Sequence, residues 1–180
     1  MIYIYTTADG KSYSAEDGTL LIVGDGILLI TNRTAEDVER WRVLRNKGWS
    51  ALTDEEKAEW LSSLKGSYNY LDMNRVESFV RYLTDRLNAN GYLFHPITKS
   101  DWQVSDLPTK ADIDRYFGNV ARIRELLAVY ETTPLAPTTS KKFDYHDANN
   151  LEQILVDVED LIVKIEQSWF YSNDVFCGEV

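Results

Sequence analysis

The chain has 180 residues, 44% of them hydrophobic, and a formal net charge of −10. This length and composition are typical of one globular domain with room for a small appendage. The acidic balance argues against a nucleic-acid partner and against binding to an anionic membrane, because both need a basic face. The single cysteine, Cys177, excludes an internal disulfide. The first ten residues, MIYIYTTADG, lack the basic and apolar regions of a signal peptide, so we expect a soluble protein made in a cytoplasm.

Residues 1–31 read as β structure. The segment MIYIY is rich in strand-forming residues, and ADGKS after it is a turn signal, with Asp-Gly favouring a tight hairpin. A second hairpin is predicted from the arms TLLIV and ILLIT on either side of GDG. Both arms are almost continuously apolar, so we expect this N-terminal β-hairpin unit to lie against the rest of the chain or a second chain.

Two shorter helices are predicted next. Thr34 and Asp37 have the spacing of a capping box, in which the cap and the residue three positions on satisfy each other's backbone amides. Gly48 is the predicted stop of this helix. The same spacing recurs at Thr53 and Glu56, which open a second helix that we expect to end at Gly66.

A similar helix-start pattern then occurs three times, in the phrases YNYLDMNRVE, TKADIDRYF and FDYHDANNLE. Each places a cap three residues before an aspartate: Asn69–Asp72, Thr109–Asp112 and Asp144–Asp147. Apolar residues follow each start at alternating spacings of three and four: Met73, Val76, Val80, Leu83 and Leu87; Ile113, Tyr116, Val120, Ile123, Leu127 and Tyr130; and Ala148, Leu151, Leu155, Val158, Ile162, Ile165 and Trp169. Such heptad-like seams pack helices at shallow angles. The predicted fold is therefore mainly α, a bundle of three long and two shorter helices over residues 32–180, with the β unit at 1–31.

The connections between the long helices differ in kind. Residues 91–108 read as an extended segment broken by two prolines, and a loop of this length in a compact domain is often functional. Residues 132–142 form a Pro/Thr-rich linker. The end of the chain, SWFYSNDVFCGEV, is aromatic, and its last seven residues are predicted to be a short strand.

The chain offers no motif for catalysis, cofactor binding or metal binding. The stretch DGKS resembles the end of a phosphate-binding loop, but Tyr5 stands where that loop needs glycine. The stretches DMN and DID resemble the start of a calcium loop, but the required glycine is missing from both. His95 and His146 lie in no metal-ligand spacing. We therefore predict a protein that is not an enzyme, with no catalytic, cofactor-binding or metal-binding residues.

Several phrases carry a family resemblance: NRTAEDV, KGW, LTDEEKAEWL, KGSYNYLDMNRVE, LPTKADIDRYFGNV, FDYHDANNLEQIL and SWFYSNDVFCGEV. Together they span most of residues 32–180, which resemble an uncharacterised family of phage and prophage tail or minor structural proteins of gut Firmicutes. The resemblance implies a structural protein that is assembled in the cytoplasm of the bacterial host and then carried in the virion tail. Its implied partners are other phage structural proteins or further copies of itself.

Aromatic residues outside the seams are the candidate contacts to a partner: Trp49, Trp102, Phe170, Tyr171 and Phe176. Tyrosine and tryptophan suit such contacts because each has an apolar body and a polar group. Two alternatives stay open from the sequence. Exposed aromatics could instead stack on carbohydrate at a cell surface, for which the candidates are Trp49, Trp60, Trp102 and Trp169, with Tyr68 and Tyr70. Alternatively, the aromatics could simply fill the core.

Overall fold

A computed structural model describes residues 4–6, 12–14, 23–24, 27–61, 64–138 and 143–172. The fold over these residues is mainly helical, as the sequence predicted, with five α-helices. The helices are α1 (Ala35–Lys47), α2 (Asp54–Leu61), α3 (Tyr70–Ala89), α4 (Lys110–Leu126) and α5 (Tyr145–Ser172). A short 3₁₀ turn, Trp49–Ala51, connects α1 to α2.

Four short strands precede the helices. β1 (Ile4–Thr6) pairs antiparallel with β2 (Ser12–Ser14), and β3 (Val23–Gly24) pairs antiparallel with β4 (Ile27–Leu28). Most of residues 1–26 lie outside the described part, so the predicted N-terminal unit, and the division at residue 31, stay predictions. The end of this region does contact the bundle, since Leu29 is fully buried in the core and Ile27 packs beside it.

The predicted helix starts are confirmed by their hydrogen bonds. At Thr34, Asn69 and Thr109 the cap and the aspartate three residues later form complete capping boxes. Asp144 accepts from the backbone of His146 and Asp147, and its own N–H donates to the Asp147 carboxylate. These bonds satisfy amides that have no partner inside the helix. They set where each long helix begins.

The core lies between α3, α4 and α5, which contact one another in all three pairs. The predicted seams face this core: Met73, Val76, Val80, Leu83, Leu87, Tyr116, Val120, Ile123, Ala148, Leu151, Leu155, Val158 and Ile162 are buried. Leu29 and Trp102 complete the core from outside the three helices. The described part of the chain therefore forms a three-helix bundle. Two segments pack against it: the one before α1, which contains Leu29, and the one between α3 and α4, which contains Trp102.

The middle seam ends earlier than predicted. It was expected to continue to Tyr130, but α4 ends at Leu126, and Leu127 has an extended backbone. Tyr130 instead reaches α5, where its hydroxyl donates to Asp160 and accepts from Lys164 at 2.7 Å. The bonds to α5 take the place of a further helical turn.

Helices α1 and α2 form an arm beside the bundle. Leu44 is the buried residue of α1, and α2 has none among its described residues. Charged side chains join the two helices, with Arg40 donating to both Glu59 oxygens at 3.0 and 2.6 Å. Gly66 lies directly against α1, because a Cβ there would be 2.0 Å from the Asp37 carbonyl oxygen. The arm is thus held at its junction with the bundle by close backbone contact.

Candidate functional site: a buried ion cluster, an aromatic pocket and an exposed ridge

A buried ion cluster joins the segment before α1 to α3 and α5. Arg33 Nη2 donates to Asp72 Oδ1 at 2.9 Å and to Glu152 Oε1 at 2.7 Å, while Nη1 donates to the Ile30 carbonyl at 2.6 Å. Arg75 donates to both carboxylates, with its Nε 3.1 Å from Glu152 Oε2. Two guanidinium groups therefore neutralise two carboxylates.

The cluster is almost fully enclosed, so its charges interact with little screening by water. The side chains of Arg33 and Glu152 are 2% and 0% exposed. Burial alone would lower the pKa of Arg75, but the hydrogen bonds and charges of Glu152 and Asp72 outweigh it and raise that pKa. Arg75 therefore stays charged over the whole physiological pH range.

Tyr68 links the cluster to the core. The Arg33 guanidinium lies over its ring, 5.4 Å from the ring centre, and its hydroxyl is hydrogen-bonded to that of Tyr116. Burial raises the pKa of both tyrosines, so neither hydroxyl loses its proton at physiological pH. The Tyr68 ring also packs edge-on against Phe143, with centroids 5.0 Å apart.

A cavity of about 420 Å³ opens beside Arg33, between α1, the loop before α3 and the start of α5. We call it the aromatic pocket. The side chains that form most of its wall are Arg33, Val38, Trp41, Tyr68, Phe143 and Tyr145. A volume in this range is typical of small-molecule sites.

The predicted extended segment, residues 91–108, is confirmed as a stretch without helix or strand. Side chains of α3 fix its backbone. The Asn74 side chain makes two hydrogen bonds to the backbone of Trp102. It accepts from the backbone N–H at 2.7 Å and donates to the backbone carbonyl at 2.9 Å. Asn88 binds the backbone of Phe94 in the same way, at 2.9 Å for each bond.

Helix α4 holds the same segment from the other side. Arg115 and Asn119 both donate to the Ile97 carbonyl at 2.8 Å. Glu77, a buried α3 carboxylate, accepts from the Lys99 N–H and from Arg115. The segment therefore has a fixed path across α3 and α4, although it belongs to no sheet.

Four aliphatic side chains project from this segment into solvent. Leu93, Ile97, Val104 and Leu107 are between 77% and 90% exposed. Exposure alternates from Gly91 to Ile97, with one side packed on the helices and the other free. We call these four residues the exposed ridge. Apolar side chains fixed at a surface are typical of protein contact sites.

The five candidate contact residues differ in their exposure to solvent. Trp49 is exposed, at 52%. Trp102 is not: it is 3% exposed and belongs to the core, so its indole presents no surface to a partner, and that prediction needs correction. The side chains of Phe170 and Tyr171, at the end of α5, and all of Phe176 lie outside the described residues.

The indole N–H of Trp102 has no hydrogen-bond partner among the described residues, and the residue lines a smaller hollow of about 270 Å³. Lys99 lies over its ring, with Nζ 3.9 Å from the ring centre. Trp102 is therefore enclosed between α3, which binds its backbone, and Lys99, which covers its ring.

A second buried acid, Glu159, lies at the other end of the α3–α5 contact. Its Oε1 accepts from the Tyr82 hydroxyl at 3.0 Å and from Arg86, while Oε2 has no partner among the described residues. Burial raises the pKa of Glu159, and its Arg86 and Tyr82 partners offset this only in part. Burial and the nearby Glu159 raise the pKa of Tyr82 to about 12.

Sequence reasoning missed the ion cluster and the exposed ridge. Asp72 was assigned only a capping role, which it fulfils with one oxygen while the other binds the two arginines. In the part of the chain that the structure describes, no group of three or more metal-binding side chains comes together, and no helix has the length and apolarity to cross a bilayer.

Comparison of the chain with protein-family models, with curated proteins and with solved structures finds no match.

Proposed function

We propose that this chain is a non-enzymatic structural protein of a phage tail or baseplate, which acts through contacts with other phage structural proteins or with further copies of itself. The exposed ridge is the observation that carries the proposal. Leu93, Ile97, Val104 and Leu107 are solvent-exposed on a segment whose backbone is fixed by α3 and α4.

A fixed apolar ridge favours binding because little conformational entropy is lost when a partner covers it. A flexible loop with the same residues would have to be ordered first. Seven hydrogen bonds between the backbone of the segment and the side chains of Asn74, Asn88, Glu77, Arg115 and Asn119 hold the segment in advance. The chain as a whole carries a formal net charge of −10, which favours a basic partner.

Carbohydrate binding at a cell surface is the alternative function. It needs exposed aromatic rings. Of the four tryptophans considered for it, Trp49 is exposed, Trp60 is half-buried and Trp102 is buried, and the side chain of Trp169 lies outside the described residues. A glycan array tests it directly: binding that is lost in Trp49→Ala would favour this alternative, and binding that is absent or unchanged counts against it.

The test of the proposed function is incorporation into particles. In a lysogenic host that carries this gene, we expect mass spectrometry of purified, induced particles to detect peptides of the chain together with other tail proteins. Combined Leu93→Lys and Leu107→Lys substitution should remove the chain from particles while the folded protein persists in the lysate. Leu135→Lys is the matched control, since Leu135 is 75% exposed but lies outside the ridge.

Two results would contradict the proposal. Particles that contain the other tail proteins but no peptide of this chain would exclude the structural role. Normal incorporation of the Leu93→Lys, Leu107→Lys variant would show that the ridge is not the contact surface. Light scattering of the purified chain separates the two partner types, because self-association raises its molar mass and contact with other proteins does not.

A further inference from the structure

The aromatic pocket is separate from the exposed ridge and has features of a ligand site. Its wall is made by α1, by the loop at residues 65–68 and by the start of α5. At about 420 Å³ it holds a ligand the size of one or two rings with a substituent. The contact between Gly66 and the α1 backbone sets the distance between two of these walls.

The aromatic side of the pocket is formed in advance. Phe143 is stacked on Phe117 of the core, with centroids 5.5 Å apart, and meets the Tyr68 ring edge-on at 5.0 Å. The Tyr68 hydroxyl is in turn tied to Tyr116. Trp41 faces the same space from α1. A planar ligand ring would meet rings that already have fixed positions, which is the arrangement that aromatic stacking needs.

The pocket also contains a buried hydrogen-bond donor without a partner. Arg33 lies in its wall with a side chain that is 2% exposed. Its two terminal nitrogens bind Ile30, Asp72 and Glu152, but the Nε–H has no acceptor among the described residues. Buried polar groups are almost always paired in native structures, so an unpaired Nε–H among the described residues is uncommon.

The charges around the opening favour a negative ligand. Arg42 and Lys65 contribute to the wall, and Asp144 is the single acid there. The Asp144 carboxylate is engaged in capping α5. Arg42 forms an ion pair with Glu39 at 3.6 Å. Both side chains are solvent-exposed, so an anionic ligand can replace Glu39 as the partner of Arg42.

From these observations we infer that the aromatic pocket binds a small planar ligand that carries an anionic group, either a carboxylate or a phosphate. The ring lies among Trp41, Tyr68, Phe143 and Tyr145. The anionic group lies at the opening near Arg42 and Lys65. This site is independent of the exposed ridge and of the proposed tail function.

Titration calorimetry with matched pairs of probes tests the inference. Indole-3-acetate is compared with uncharged indole-3-ethanol, and adenosine monophosphate with adenosine. We expect at least one anionic member to bind at sub-millimolar concentration and its neutral counterpart to bind about tenfold more weakly, the effect of one charge-assisted bond. The pair that shows this difference identifies the anion as carboxylate or phosphate.

Variants separate binding in the pocket from binding elsewhere. Combined Arg42→Gln and Lys65→Gln substitution should weaken binding of the anionic probe about tenfold. Tyr145→Ala should weaken binding of both members of the pair. Arg81→Gln, on an exposed position of α3, and the Leu93→Lys, Leu107→Lys ridge variant should leave binding unchanged.

Two outcomes would overturn the inference. One is the absence of binding by all four probes at millimolar concentration to a chain with a cooperative unfolding transition. The other is binding that is unaffected by the Arg42→Gln, Lys65→Gln variant and by Tyr145→Ala, which would place the probe elsewhere. The ridge variant is measured in both experiments, and we expect it to lose incorporation into particles but to keep probe binding. A failed pocket inference and a failed tail function therefore give different results.

Discussion

Replacing Arg33 by methionine tests whether the buried ion cluster stabilises the fold. The substitution keeps an unbranched side chain of similar reach but removes three hydrogen bonds, to Ile30, Asp72 and Glu152. Removing one partner of a buried ion pair is destabilising by about 3–5 kcal/mol, because the remaining charge stays buried without compensation. Arg75 still binds both carboxylates, so we expect the lower end of this range, about 3 kcal/mol.

The assay is urea denaturation followed by circular dichroism, with the free energy of unfolding taken from the midpoint and slope. Arg40→Met is the matched control. Arg40 also makes two hydrogen bonds to a carboxylate, that of Glu59, but the pair is solvent-exposed and we expect little change. If Arg33→Met lowers the free energy of unfolding no more than Arg40→Met does, the cluster does not stabilise the fold as reasoned here.

A second substitution reveals whether charge balance is the cause. Glu152→Gln in the natural chain leaves an excess positive charge in the cluster, whereas in the Arg33→Met background it restores neutrality. We therefore expect Glu152→Gln to be less destabilising in that background, by about 1 kcal/mol or more. Equal effects in both backgrounds would indicate that packing, and not charge, dominates at this junction.

Three further predictions concern the core, the arm and a buried acid. Leu83→Ala, at a fully buried seam position, should destabilise the chain by about 2–5 kcal/mol in urea denaturation. Gly66→Ala should destabilise it as well, since the new methyl group would collide with the Asp37 backbone, whereas Gly118→Ala, in open space on α4, should stabilise it by about 0.5–1 kcal/mol; a harmless Gly66→Ala would show that the arm does not dock closely. The raised pKa of Glu159 means that the folded chain holds this proton more tightly than the unfolded chain, so its stabilising contribution is complete at low pH and is lost as pH rises through the folded-state pKa. Denaturation midpoints across that range should show Glu159→Gln gaining on the natural chain as pH rises, and parallel pH profiles would contradict the shift.

The helix starts were predictable because their determinants are local. A cap and an aspartate three residues later are adjacent in sequence, and the hydrogen bonds at Thr34, Asn69 and Thr109 follow from that spacing alone. The seams were predictable for a similar reason, because an apolar stripe along a helix is buried most favourably when it faces the core. The end of α4 was not, because the signal that competes with the helix is the contact of Tyr130 with Asp160 and Lys164 on α5.

The candidate sites depend on pairs that are distant in sequence. Arg33 and Glu152 are separated by 119 positions, and nothing in the local pattern links them. Trp102 was a candidate partner contact because it lies outside the helical seams. It is buried because Asn74 fixes the backbone of that loop against α3. Which side of an extended segment faces the protein is a tertiary property, so the exposed ridge could not be read from the sequence.

The position of α5 has a consequence for synthesis on the ribosome. This helix contacts both α3 and α4, and it supplies Leu151, Leu155 and Ile162 to the core and Glu152 to the ion cluster. The apolar faces of α3 and α4 are therefore synthesised before the helix that covers them. Arg33, Asp72 and Arg75 are also synthesised first, so the two arginines have only one of their two carboxylates until α5 supplies Glu152. Apolar surface that is exposed during synthesis is prone to aggregation, and α5 is the element that ends this exposure.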